Sequence, residues 1–410
     1  MTPEVRPERL VGDAPPVSRR LVGLLGPLLG LLVIIVAGGM AEYLKPPLGG
    51  LFSDLLHGRP IQAFSDYFSG GAPNYWGPQN QCMILTQTVM VAIGAIGMTM
   101  IIISGGIDLS VGSVIALAAV AAAWVVRLLA PSSAAAAGLT GDSALWLPLL
   151  ALAVGIAVGT AAGATNGLLI TRLKLAPFII TLGMMSFARG TAKWVANLER
   201  IATPSNWIMA FTEQRITLVD ILPVNQAAGR PGPVFAFPLF SVPVSWWPGN
   251  WTGPVQTSWA VLLTIVLAVG AAVVLARVRF GRHIFAIGSN EATARLCGVQ
   301  VERTKVWIYG LAGALFGLAG VTDYGRLTVG DPTTAIGKEL DIIAAVVIGG
   351  GSLSGGSGSV FGALIGALLM AHLRNLCSHL DLPNFVQEMV VGVVIVVAVW
   401  LDSLRQKKKA

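Results

Sequence analysis

Residues 82–130 read CMILTQTVMVAIGAIGMTMIIISGGIDLSVGSVIALAAVAAAWVVRLLA. Two apolar runs, 82–103 and 111–130, each come close to the length of about 20 residues that carries a helix across a bilayer. Between them lies GGIDLSVGS at 105–113, whose small residues break a helix and let backbones approach closely. The pattern predicts two membrane helices joined through a break.

The rest of the chain extends that reading. Across 410 residues, 54% are apolar, only 11% are charged, and the mean hydropathy is +0.74. A soluble domain carries roughly 25% charged residues, so this chain cannot cover a water-facing surface, and disorder, collagen and a disulfide scaffold are excluded with it. Its three cysteines are widely spaced and form neither a disulfide framework nor a zinc pattern. A first span is predicted over Leu21–Ala41. It exceeds the roughly 7–15-residue core of a secretory signal and reads as a retained anchor. Further spans are expected at 146–170, 178–196, 257–276, 304–323, 338–353, 358–374 and 386–402. The fold class is therefore an all-α polytopic membrane protein of about ten segments. The eighth opens on Glu339 and Asp341 and closes on Gly349, Gly350 and Gly351, as a half-helix or re-entrant segment would.

The net charge of +7 is concentrated in alternate loops. Lys and Arg cluster at 6–20, 172–174, 277–305 and 405–409, which places both termini in the cytoplasm by the positive-inside rule and gives no reason to invoke nucleic acid. Residues 1–18 are expected to form a disordered cytoplasmic tail, 19–404 the transmembrane domain, and 405–410 a basic cytoplasmic tail. The Pro-, Gly- and Trp-rich stretches 42–81 and 197–256 become extracytoplasmic loops. Trp246, Trp247, Trp251 and Trp259 suit an aromatic belt at the headgroups, or an aromatic surface for a sugar or a docking protein.

Residues 349–357, GGGSLSGGS, share the frame GG-x-x-LS-x-GS with 105–113. This is a weak internal repeat of the kind that brings broken helices together near a membrane midplane, although small-residue helix packing alone would produce a similar pattern. Gly105, Gly106, Gly349, Gly350 and Ser354 are the expected helix-break residues. Asp108, Glu339 and Asp341 stand near predicted helix starts, where the dipole favours acid. Gln87, Ser104, Asp108, Ser110, Asn166, Ser186 and Asn375 are candidates to face the bundle interior and line a polar pathway.

Residues 277–303, RVRFGRHIFAIGSNEATARLCGVQVER, are too polar to span. Ser289 or Asn290 can cap a short helix, and Glu291 and Arg295 form a favourable i,i+4 pair. Ala292, Leu296 and Val299 fall on one face, Ala292 and Ala294 are expected to be exposed, and Gly298 ends the helix. A two-turn helix does not persist alone in water. It needs a partner surface, either the membrane interface or a cytoplasmic protein.

FGRHIFAIGSNEATARLCGVQVERTK (280–305), GGIDLSVGS, ELDIIAAVVIGGGSLSGGSGSVFGALIGA (339–367) and VVAVWLDS (396–403) together resemble the permease subunits of bacterial ABC sugar importers. These are the ribose, xylose, galactose and autoinducer permeases. The resemblance covers most of 75–405, and VERTK and AVWLDS lean towards the xylose branch. It implies a multi-pass protein of the bacterial inner membrane, working as a homodimer. Two copies of a cytoplasmic ABC ATPase hold the ATP and Mg, and an extracytoplasmic sugar-binding protein delivers a monosaccharide, in this branch a pentose. On that reading Glu291, Ala292, Ala294, Arg295 and Gly298 couple to the ATPase, and the permease itself carries no cofactor or catalytic residue. GDPTTAIGKE at 330–339 spaces its glycines wrongly for a phosphate-binding loop. The competing readings are a proton-coupled secondary transporter, which needs a coupling carboxylate, and an intramembrane enzyme built on His372, Cys377, His379 and Asp381. The latter spacing matches no zinc pattern.

Overall fold

The computed structural model describes residues 26–36, 78–131, 139, 143–213, 215–222, 234–236, 241–243, 253–380 and 382–407. Helix α1 covers Gly26–Val36. Helix α2, Pro78–Ile103, opens on a proline, which is tolerated where the N–H would have no partner. It is apolar on every side and is accordingly enclosed by its neighbours, with 89% of its most apolar window buried. Ile93, Ile96, Ile101, Ile102 and Ile103 are fully buried along it and form the axis of the main core. Around it stand α3 (Val111–Leu129), α4 (Ser143–Leu173) and α5 (Pro177–Val195).

The connection after α5 holds β1 (Ile201–Ala202), α6 (Trp207–Glu213) and the strands β2 (Arg215–Leu222), β3 (Val234–Ala236), β4 (Ser241–Pro243) and β5 (Gly253–Ser258). The last four form an antiparallel sheet in the order β4-β3-β2-β5. The bundle carries the all-α class, and this small sheet is an addition within the expected 197–256 loop. Its longest strand, RITLVDIL, is rich in β-branched residues, which favour extended chain. Then follow α7 (Trp259–Arg277), α8 (Arg279–Ser289), α9 (Glu291–Leu296) and α10 (Val301–Leu327). A short β6 (Val329–Gly330) pairs antiparallel with β1. The chain ends in α11 (Lys338–Ile348), α12 (Val360–His379) and α13 (Asn384–Lys407).

Each expected span overlaps a helix, and among the described residues six helices are long and apolar enough to cross a membrane. Helix α11 has 11 residues. It rises about 16 Å at 1.5 Å per residue, half the hydrocarbon thickness, as a half-helix should. Residues 1–18, 42–77 and 408–410 lie outside the described residues, as do Trp246, Trp247 and Trp251. Helix α13 continues to Lys407, into the stretch expected as a basic tail.

The most extensive helix pair is α4 with α10. Gly159 and Gly163 of α4 interleave with Gly313 and Gly317 of α10, and a Cβ on Gly163 would overlap the Tyr309 carbonyl oxygen. Backbone meets backbone here, the close approach that small residues allow between membrane helices.

Candidate functional site

The two glycine-rich stretches end their helices in the same way. After α2, Gly105 takes φ +81 and donates to the Ile102 carbonyl at 3.0 Å, while Gly106 donates to Ile101 at 3.0 Å. After α11, Gly350 takes φ +90 and donates to Val347 at 3.0 Å, while Gly351 donates to Val346 at 2.8 Å. Each is a left-handed glycine cap. Structurally, Gly105 corresponds to Gly350, one residue out of the frame that pairs Gly106 with Gly350 in sequence. The breaks also touch, since the Gly356 N–H donates to the Ile103 carbonyl at 2.8 Å.

The first break carries a buried polar cluster. Asp108 is 1% exposed. Its Oδ1 accepts from the Ser110 N–H at 2.8 Å and the Ser110 hydroxyl at 2.6 Å. Asn166 of α4 donates to Asp108 Oδ2 at 3.3 Å and to Ser110 Oγ at 3.1 Å. The Leu109 N–H donates to Thr181 of α5 at 3.2 Å, so two helices hold the break in place. Tyr309 of α10 closes the cluster, its hydroxyl 2.5 Å from where a Gly106 Cβ would lie. Asn166 Oδ1 and the Tyr309 hydroxyl are buried with no hydrogen-bond partner among the described residues.

Of the expected pathway residues, Asp108, Ser110 and Asn166 thus come together. Ser104 is buried and turns back onto the Ile101 carbonyl at 2.7 Å. Gln87 and Ser186 are exposed on the outside of the bundle rather than facing its interior. Their neighbours Thr88 and Ala188 are the buried ones, and in helices this apolar a single polar residue does not set the inward face. Asn375 is buried, but it pairs reciprocally with Asn80 at 3.1 Å, apart from Asp108. Ser354 is exposed and shares a 2.9 Å hydrogen bond with Ser352.

At the other end of α10, nearly every acid of the α10–α11 connection meets a cation. Asp323 accepts from Arg326 at 2.8 Å and from Thr334 at 2.5 Å. Arg200 pairs with Asp331 at 2.8 Å and Arg189 with Glu339 at 3.5 Å. Burial works to raise the Asp331 carboxyl, but the Thr333 hydrogen bonds and Arg200 outweigh it and hold it below the usual range. Glu339 and Asp341 do stand in the first turn of α11, yet Asp341 is held chiefly by Arg374 of α12, a partner the sequence reading missed. Beside Asp323 a small pocket, with room for about one water, is lined by Thr86, Val89, Met90, Thr212, Ser258, Ala260, Thr322, Asp323 and Arg326.

The 277–303 segment forms two helices where one was expected. Helix α8 places Phe280, Ile284 and Ile287 at helical spacing, with Ile284 and Ile287 buried, and is the element missed from the sequence. Helix α9 is capped by Asn290, whose Oδ1 accepts from the Thr293 N–H at 3.0 Å, and Gly298 ends it at φ +84. Glu291 accepts from Lys305 at 2.6 Å and Arg295 at 3.3 Å, and Arg295 reaches Glu302 at 2.8 Å. The expected face is rotated. Ala294 is buried against Ile287 and Val301, whereas Leu296 is 89% exposed. The end of α8 and the start of α10 fix this rotation, and α9's own pattern is too short to specify it. Glu291, Ala292, Arg295 and Leu296 form an open, nearly flat face on the outer side.

His372 and Cys377 are buried on α12, and Asp381 lies outside the described residues. No group of three or more His, Cys, Asp or Glu is arranged to hold a metal among the described residues.

Residues 80–399 match the family described as the branched-chain amino acid transport system, permease component. The ribose import permease protein RbsC of Escherichia coli (strain K12) is 35% identical over 335 residues, covering 82% of this chain and 89% of its own. RbsC of Bacillus subtilis (strain 168) is 38% identical over 339 residues, covering 82% and 88%. The xylose transport system permease protein XylH of Escherichia coli (strain K12) is 34% identical over 377 residues, covering 85% and 90%. No solved structure matches the chain.

Proposed function

We propose, on the premise that this chain belongs to the permease family of the branched-chain amino acid transport system, that it forms the translocation pathway of an ABC importer for a pentose such as ribose or xylose. The chain is an ABC sugar permease rather than an enzyme, as its ribose and xylose relatives are. It works as a homodimer in the bacterial inner membrane with both termini in the cytoplasm. An ABC ATPase below binds ATP and Mg, and a sugar-binding protein delivers cargo from outside.

The observation that carries this reading is the α8–α9 segment. A capped helix braced by Glu291, Arg295, Glu302 and Lys305 presents Leu296, 89% exposed, on an open outer face with Ala292. An exposed leucine on a rigid polar support suits insertion into a partner protein, where a few apolar anchors carry most of the affinity. Hydroxyl-bearing cargo would exchange its water for polar groups at the Asp108 cluster.

Reconstitution tests the proposal. The permease is placed in liposomes with its co-purifying ATPase and binding protein, and uptake of ribose, xylose and galactose is measured. The expected result is pentose uptake that requires ATP hydrolysis. Uptake by the permease alone, driven by a proton gradient, would replace this function with secondary transport.

A further inference from the structure

Gly288 lies in the last turn of α8. Glycine weakens a helix interior, so it calls for a packing reason there. A Cβ at Gly288 would overlap the Ile103 carbonyl oxygen and stand 2.6 Å from the Gly356 nitrogen. Those two atoms are themselves joined by the 2.8 Å hydrogen bond between the breaks. The contact continues on both sides. A Cβ at Gly355 would lie 2.7 Å from the Gly288 oxygen and 3.1 Å from Gly105 Cα, and one at Gly356 would lie 2.9 Å from Ser289 Oγ. Three chain segments therefore meet backbone to backbone: the end of α2, the second break, and the end of α8.

We propose that Gly288 is the positioning residue through which movement of the cytoplasmic segment reaches both breaks at once. The proposal rests on the reading above that α8–α9 seats on an ATPase. Side chains would absorb a small displacement by changing rotamer, but packed backbones transmit it. Ile103 ends the central, largely enclosed helix α2, and Gly356 belongs to the segment between α11 and α12. A shift of α8 along this contact therefore moves one broken helix of each repeat together. Helix α9 then supplies the grip on the partner, and α8 passes the motion on.

The test uses the complete complex of permease, ATPase and sugar-binding protein in liposomes, comparing Gly288→Ala with wild type. The readouts are ATPase co-purification and sugar taken up per ATP hydrolysed. The α9 face is untouched, so the variant is expected to keep its ATPase and its hydrolysis while uptake per ATP falls about ten-fold or more. Gly270→Ala on α7, where a Cβ meets open space, should match wild type. Unchanged uptake per ATP in Gly288→Ala overturns the proposal. So does loss of the ATPase together with uptake, which would make α8 only a support for α9. Amide exchange on the wild-type complex decides the matter even where the variant fails to fold. The Gly356 amide is expected to stay protected in both nucleotide-free and ATP-trapped states, because the junction moves as a unit. Exposure of that amide in either state overturns the proposal. A wild-type complex that couples no uptake to ATP overturns the importer reading and this proposal with it.

Discussion

Arg374 meets Asp341 through two hydrogen bonds of 2.8 Å, Nε to Oδ2 and Nη2 to Oδ1, and so ties the end of α12 to the first turn of α11. Asp341 is 1% exposed, and Lys338 adds a third contact at 3.0 Å. Removing Arg374 leaves Asp341 with Lys338 alone. Arg374→Met is expected to cost about 2 kcal/mol, less than the roughly 3–5 kcal/mol of a fully stranded buried charge, and the double variant Asp341→Asn, Arg374→Met to recover much of it. Thermal unfolding in detergent checks this through a double-mutant cycle. A double variant no more stable than Arg374→Met would show the pair to be uncoupled.

Glu291 yields a pH prediction. Burial works to raise its carboxyl, but the hydrogen bond and charge of Lys305, with Arg295, outweigh this and hold it below the usual glutamate value. A carboxyl depressed in the folded state stabilises it above the unfolded value of about 4.3, and that contribution is lost as pH falls through the folded value. The side chain is 45% exposed, so the pairs are worth less than about 1 kcal/mol. Glu291→Gln should speed amide exchange over residues 293–298 at neutral pH, and the difference from wild type should shrink as pH falls below the ordinary glutamate value and through the lower folded one. A difference that does not shrink with falling pH would mean that charge is not what holds α9.

The two caps make unequal demands on their glycines. Gly105 has a left-handed backbone, but a Cβ there meets open space. Asn tolerates that conformation and a β-branched residue does not. Gly105→Asn should therefore transport and Gly105→Val should not. Gly106→Leu collides with Tyr309, and Gly350→Leu is strained at φ +90. Both should reach the membrane yet fail to transport. Full activity in both would reduce the repeat to a coincidence of composition.

How much of this was legible beforehand depends on where each signal resides. The spans are local apolar runs, and the glycine caps are local turns, so both can be read directly. Gly155, Gly159, Gly163 and Gly167 repeat at four-residue spacing, and that marks a close helix contact without naming α10 as its partner. Phe280, Ile284 and Ile287 marked α8, but the intervening glycines and basic residues hid it. Arg374 and Asp341 are separated by another helix-length of chain, and no periodicity links them. The inward face of α2 was illegible because it is apolar all round, which is why Gln87 was misplaced.

Orientation can be tested directly. Cysteines placed singly at Arg230 and Lys408, both outside the described residues, should react with an impermeant thiol reagent from opposite sides of the membrane. The reason is the alternation of basic loops. Reaction from the same side would require an even number of spans between them.

Tyr309 separates structural from functional need. Its hydroxyl is buried and unpartnered beside Asp108, Ser110 and Asn166, whose Oδ1 is unpartnered as well. A buried polar group without a hydrogen bond costs about 1–3 kcal/mol. Tyr309→Phe should therefore leave the protein as stable as wild type, or more stable, in thermal unfolding. If sugar hydroxyls pass this cluster, the same variant should lose uptake, because a donor that meets cargo only in transit has gone. Asn166→Ala should lose uptake too, but at a cost in stability, since it also releases Asp108 and Ser110. Tyr309→Phe with full uptake would remove the cluster from the pathway. Tyr309→Phe with lowered stability would mean that the hydroxyl has a partner in the folded protein, such as bound water, and is structural.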